Sequence, residues 1–180
     1  VALETLANLK SYLGVNDSSR DDELTIFLDA AEEQVEEYLG YDPEETTYTD
    51  EHHYGTGQPW IYPKARPVTA VTAFSVDDSD WDVDELVLRD TWIDTRNYIL
   101  PEGADVEITY TAGYSSVPSR IRLAVLKVAG IYDKQHGSGG SLGIDNRSDS
   151  AGSSVTFGGE TVADILDSIS GDRRYARLYS

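Results

Sequence analysis

Between Val76 and Val87 the chain reads VDDSDWDVDELV, six carboxylates in a dozen residues. Asp78, Asp80, Asp82 and Asp84 stand at alternate positions, which invites comparison with a calcium loop. An EF-hand loop needs Gly at its sixth position and a bidentate Glu at its twelfth. Counted from Asp78 those positions hold Val83 and Arg89, and counted from Asp80 they hold Glu85 and Thr91. Alternate residues of a strand share one side, so the stretch reads as a solvated acidic row around a hairpin. His52 and His53 are adjacent, and neighbours on a strand point to opposite faces, with His136 a distant third. GSGGSLG, from Gly137, has the glycines of a phosphate loop but no following Lys-Ser/Thr, and it comes after a helix pattern rather than a strand; it reads as a linker. No Ser–His–acid set can be singled out, and no carboxylate pair stands apart for glycoside hydrolysis. The chain therefore reads as non-enzymatic, with no metal and no cofactor.

A different chemistry sits near the C-terminus. Arg173, Arg174, Tyr175, Arg177, Leu178 and Tyr179 combine charge, rings and apolar area after a flexible, Gly- and Ser-rich segment. Arg and Tyr are favoured at protein interfaces, so this tail is expected to dock on a partner.

Charge narrows the partners. Thirty-three acidic residues face 14 basic ones, a formal net charge of -19. Such a surface does not grip nucleic acid or an anionic membrane, because neutralising phosphate needs a basic face. Lys is scarce and the acids lie on segments that read as folded, which points to a protein kept soluble in concentrated salt, where like-charge repulsion is screened. Cys is absent, which excludes thiol catalysis and Cys-based zinc. No apolar run is long enough to cross a bilayer, and VALETLANLK has no signal-peptide pattern.

The elements that must carry these residues are legible as periodicity. TLANLKSYLG predicts a short helix capped by Thr5 and stopped by Gly14. Asp21 to Leu39 predicts an amphipathic helix with Leu24, Phe27, Leu28, Ala31, Val35, Tyr38 and Leu39 on one stripe and an acidic back. Ser19 with Asp22 looks like an acidic capping box for it, and the two helices are expected to pair as an antiparallel hairpin. Five or six strands are expected between Tyr48 and Tyr114, in antiparallel meander order because the connections are too short for crossovers. Helix returns from Pro118 to Gly137, with Ile121, Ala124, Val125, Val128 and Tyr132 on its core stripe and Leu123, Leu126 and Ile131 widening it. Gly130 inside that helix suggests a close helix contact. A short helix follows around Val162, Ile165, Leu166 and Ile169. The fold class is α+β: a small antiparallel helical bundle with an inserted antiparallel β-sheet subdomain and a flexible C-terminal arm. The expected divisions are a helical hairpin over 1–42, the β-rich insertion over 43–116, the core helix over 117–137, a linker over 138–154, and an arm with the short helix and basic tail over 155–180.

The ordered set of segments resembles the head–tail connector (adaptor, or head-completion) proteins of tailed phages. Leu6, Leu9, Lys10, Tyr12, Leu13 and Gly14 match the family's LxxLKxYLG helix, and Ala30, Ala31, Tyr38, Leu39 and Gly40 match the end of its second helix. YPKARPVTAVTAFSV is similar to its LPRxPVxxVxxV strand. Tyr110, Ala112, Gly113, Tyr114, Pro118, Ile121, Ala124, Leu126 and Tyr132 match its YxAGY turn and following helix. Two departures, the VDDSDWDVDELVLRDTWID stretch and the acidity, suggest a virus of a salt-loving host such as a haloarchaeal tailed virus.

The resemblance implies a structural virion protein of the neck, made in the host cytoplasm. It implies a ring, usually of twelve copies, under the portal protein, which extends the DNA channel and carries the next neck or tail connector. DNA would pass without specific binding, and no membrane is involved. Arg173, Arg174, Tyr175, Arg177, Leu178 and Tyr179 would then dock on the portal, and Leu24, Phe27, Leu28, Tyr38, Ile121, Val125 and Tyr132 would pack the ring. The competing reading is a secreted halophilic module that binds carbohydrate or calcium, suggested by the aromatic strands and Asp clusters.

Overall fold

A computed structural model describes residues 3–89, 91–96, 98–137, 146–148, 154–156 and 160–172. In chain order the elements are α1 (Leu6–Leu13), α2 (Asp21–Leu39), β1 (Thr46–Tyr54), β2 (Trp60–Ile61), β3 (Val68–Val76), β4 (Ser79–Asp80), β5 (Val87–Leu88), β6 (Ile93–Asp94) and β7 (Asp105–Ala112). Then follow α3 (Ser119–Gly137), β8 (Asn146–Ser148), β9 (Ser154–Thr156) and α4 (Val162–Ser168). The expected α+β class is borne out. The chain divides into two compact units: a sheet unit, Leu39–Pro118, and a helical unit drawn from Ala2–Tyr38 and Ser119–Asp172.

In the helical unit the caps follow the sequence. The Thr5 side chain accepts from the Asn8 amide, and Gly14 closes α1 at φ 72, where a side chain would be strained. The Ser19–Asp22 capping box does not form. Asp17 instead closes a local turn, accepting from both the amide and the hydroxyl of Ser19, and α2 begins at Asp21. A Thr161–Asp164 capping box opens α4 instead.

Long-range pairs orient the helices. Glu4 reaches Glu32 while Lys10 reaches Asp21, so α1 and α2 run in opposite senses. Glu4 meets Arg122 and Tyr12 lies against Gly130, so α1 and α3 run in the same sense. Arg120 meets Asp172 and Lys127 meets Glu160, which sets α4 antiparallel to α3. Arg20, Phe27 and Gln34 span about 21 Å of helix, yet they meet Asp133, His136 and Tyr132, all within one turn of α3. Side chains so far apart can share one turn only if α2 crosses α3 instead of lying along it. The expected close contact at Gly130 is present: a Cβ there would lie 3.4 Å from Tyr12 and 3.6 Å from Leu13. Ile121, Ala124, Val125, Val128 and Ala129 form the buried side of α3, but Leu123 is 45% exposed, so the helix is not apolar on all sides as its composition suggested.

The sheet unit departs from the expected meander. It holds seven strands, and the larger sheet runs β1-β7-β3-β4, all antiparallel, with β7 between the two long strands that precede it. β7 has the cleanest alternation, burying Val106, Ile108, Tyr110 and Ala112. A strand that apolar on one face gains most from being flanked on both edges, so β1 and β3 pair with it and not with each other. A second, three-stranded sheet has the order β2-β6-β5. No helix among the described residues is long and apolar enough to cross a membrane.

Candidate assembly surfaces

The helical unit is fastened by carboxylates bonded to cations of α3. Glu4, only 4% exposed, accepts two bonds from the Arg122 guanidinium at 3.0 Å each, and further bonds from Asn8 and the Thr5 amide. Burial alone would raise the Glu4 carboxyl pKa, but the bonds from Arg122, Asn8 and Thr5 outweigh it and hold it below the ordinary value. Glu32 moves the other way. Burial and the neighbouring charges of Glu36 and Asp29 raise it, against bonds from the Glu4 and Leu3 amides.

The residues expected to pack a ring divide into two groups. Leu24, Leu28, Ile121 and Val125 are buried in the subunit's own core. Phe27, Tyr38 and Tyr132 are half-buried and engaged: Phe27 tilts against His136, Tyr38 donates to Asp167, and Tyr132 donates to Gln34. The expected docking residues Arg173, Arg174, Tyr175, Arg177, Leu178 and Tyr179 lie outside the described residues.

In the sheet unit, a network that periodicity did not disclose centres on Glu51. One carboxylate oxygen pairs with the His53 ring at 2.6 Å and accepts from the Lys64 amide at 2.8 Å; the other accepts from Tyr110 Oη at 2.9 Å. Tyr110 Oη in turn accepts from the Ala65 amide, and its ring stacks on Tyr48. Burial would raise the Glu51 carboxyl, yet the bonds from His53, Lys64 and Tyr110 bring it below its ordinary value; burial and the same carboxylate push the Tyr110 phenol up. Glu51 reaches inward because β1 bulges between Tyr48 and Glu51, with Asp50 at φ 52. The sequence signals were Tyr110, through the family motif, and His53, as half of the adjacent His pair. Nearby, Gly113 sits at φ 109 with a would-be Cβ 2.2 Å from the Glu44 carbonyl oxygen, so no side chain fits where the chain closes on Pro43 and Glu44.

Three acidic residues of VDDSDWDVDELV shape turns. Asp77 and Asp78, both at positive φ, form the two-residue loop between β3 and β4, and Asp77 accepts from the Asp105 amide. Asp82 caps a single 3-10 turn at Val83–Glu85. His52 lies beside Asp105 and Glu107, and Asp105 raises its pKa, whereas His53 turns inward to Glu51. No group of three or more His, Asp or Glu suited to a metal occurs among the described residues. The second sheet carries an outward face the sequence reading did not single out. Trp60 pairs with Asp94, and Tyr62 and Trp92 lie two residues beyond each partner, so all share one side. Tyr62 and Trp92 approach with ring centroids 6.5 Å apart, and both are more than a third exposed.

Comparison with known proteins places these helices and this sheet in a family. A sequence model of the head completion protein family matches residues 2–167. The chain belongs to that family. It is thereby a structural head–tail connector of the virion and not an enzyme, as the ordered motifs implied. Among curated proteins none matches in sequence. The fold is similar to chains in three solved structures. One is the neck of an empty gene transfer agent particle computed with C6 symmetry, at 21% identity, TM-score 0.59, 97% of this chain and 91% of that one. The second is the neck of the native particle computed with C12 symmetry, at 19% identity and TM-score 0.55 with the same coverage. The third is the virion of the native particle, at 19% identity and TM-score 0.60, again covering 97% and 91%. The chain thus shares its fold with these particle components over nearly its whole length at low identity.

Proposed function

We propose that this head completion protein closes into a ring of twelve copies beneath the portal protein, lengthening the DNA channel and carrying the next neck or tail connector. The observation that carries this reading is the fold shared over 97% of the chain with a component of a neck computed with C12 symmetry. A ring closes through a heterologous contact, so each copy presents two different faces. The helical unit supplies the rigid wall, held internally by Leu24, Leu28, Ile121 and Val125 and, through contacts between its helices, by Phe27, Tyr38 and Tyr132. The sheet unit supplies an elaboration of the ring. Arg173, Arg174, Tyr175, Arg177, Leu178 and Tyr179 dock on the portal. An acidic lumen repels DNA phosphates and lets the genome slide without sticking.

The test is electron cryomicroscopy of the chain mixed with the portal of its own virus at ~3 M and ~0.1 M salt, between which screening differs widely. A ring on the portal at high salt supports the reading. A folded chain that binds in neither condition overturns it. Deleting residues 171–180 is expected to abolish docking, and a truncated chain that docks normally removes the tail's role.

A further inference from the structure

Copies of so acidic a chain repel one another, so a contact between them needs faces of unlike charge. The helical unit has two. α2 carries eight acidic residues (Asp21, Asp22, Glu23, Asp29, Glu32, Glu33, Glu36 and Glu37) and no basic one. α3 carries Arg120, Arg122, Lys127 and Lys134 against the single acid Asp133. On the outer side of each helix one large apolar residue stands in solvent. Ile26 is 66% exposed, and its helical neighbours at i−4 and i+3 are Asp22 and Asp29. Leu123 is 45% exposed, and its neighbours at i−3 and i+4 are Arg120 and Lys127. Ile26 lies opposite the buried stripe of α2 that contains Leu24 and Leu28, and Leu123 lies opposite Ile121 and Val125.

We infer that Leu123, flanked by Arg120 and Lys127, docks on Ile26, flanked by Asp22 and Asp29, of the next copy, making the α2 back and the α3 outer side the two faces of the ring contact. This rests on the ring reading above. The helices cross within one copy, and neighbours in a many-membered ring differ by a small rotation, so these two helices also cross between copies. Crossing helices bury only the residues around the crossing point, and one apolar knob with a charge on either side suits that geometry. Arg120 and Lys127 are already paired with Asp172 and Glu160 within their own copy, at the flank of the same helix. Each pair is neutral as a whole, so the α3 outer side offers the acidic α2 back a face without excess negative charge, and each cation can take a further bond from a carboxylate of the neighbour. The apolar pair supplies area, and the charges set register and reject the wrong approach of acid to acid.

The chain contains no Cys, so introduced thiols report only on the contact. The double variant I26C/L123C, mixed with the portal under oxidising conditions at high salt, is expected to yield a ladder of disulfide-linked multimers, while each single variant yields at most background dimer. Leu123→Glu is expected to abolish ring formation with an unchanged thermal midpoint, since its side chain lies in solvent. If the wild type forms rings while L123E forms them equally well and I26C/L123C gives no ladder, the contact assigned here is overturned and the ring reading stands. If the folded wild type forms no ring on the portal, both fall.

Discussion

Glu51 and Tyr110 show how a single buried acid can organise a loop. Tyr110→Phe keeps the ring stack on Tyr48 but leaves the Ala65 amide without its acceptor and Glu51 without one donor. A buried polar group left unpaired costs about 1–3 kcal/mol, so Y110F is expected to lower the urea midpoint by that order. An unchanged midpoint would mean that the network contributes little. Glu4 and Glu51 also set the acid limb of stability. Each has a folded pKa below its ordinary value, so each contributes stability that is complete above the ordinary carboxylate range. That contribution is lost as pH falls through the depressed folded value. Glu32, with its pKa raised, acts in the opposite sense, penalising the fold at neutral pH and less so as it protonates. Glu4→Gln is therefore expected to flatten the loss of stability on acidification, and urea midpoints taken from neutral pH downward would show it. At this scale Thr5, Gly14 and Gly130 were legible because capping and close approach are local rules. The Glu51 network was not, because its members are brought together by a β-bulge and a strand pairing across 59 residues.

The helices announced themselves through period and punctuation, and the elements that misled were those whose partners are remote. Short connections suggested a meander, but β7, drawn from the end of the β region, takes the position between β1 and β3. Its alternation was visible in VEITYTA; its place was not, since pairing partners are chosen by how much apolar face each neighbour covers. Similarly the Asp-rich stretch was rightly placed at a hairpin, while the identity of its tight loop, Asp77–Asp78, emerged only from the backbone. Two successive residues at φ 48 and φ 59 are where Asn-Gly or Asp-Gly is preferred. Asp78→Gly keeps the Asp77 acceptor for the Asp105 amide and relieves the left-handed strain at the second position. The strain relieved, about 1–2 kcal/mol, exceeds the added unfolded-chain entropy of glycine, about 0.5–1 kcal/mol, so a net gain of about 0.5–1 kcal/mol is expected. A thermal midpoint that falls instead would show that the Asp78 side chain has a stabilising role of its own.

Over the whole molecule, the dominant physical quantity is charge. Ordered motifs were enough to disclose the family, because an adaptor's helices and turns recur as a sequence of spacings. The net charge of -19 is separate information about the conditions in which those spacings fold. Twelve copies at -19 each carry -228 if the ring closes as proposed. The ion pairs described above bind α1 to α2 and fasten α1, α2 and the α4 region to α3, but exposed pairs contribute only ~0–1 kcal/mol each and weaken in salt. Repulsion among the remaining carboxylates acts over longer distances. Its range is about 10 Å at 0.1 M salt and about 3 Å at 1 M, so added salt removes far more repulsion than attraction. The isolated chain is therefore expected to melt at a higher temperature in ~3 M than in ~0.1 M potassium chloride, with most of the gain arriving before the screening length falls below the spacing of neighbouring charges. Scanning calorimetry over that series decides the matter. A midpoint that holds steady as salt is withdrawn would show that the acidic surface carries no net repulsive strain in one copy, and would confine any salt requirement to the contact between copies.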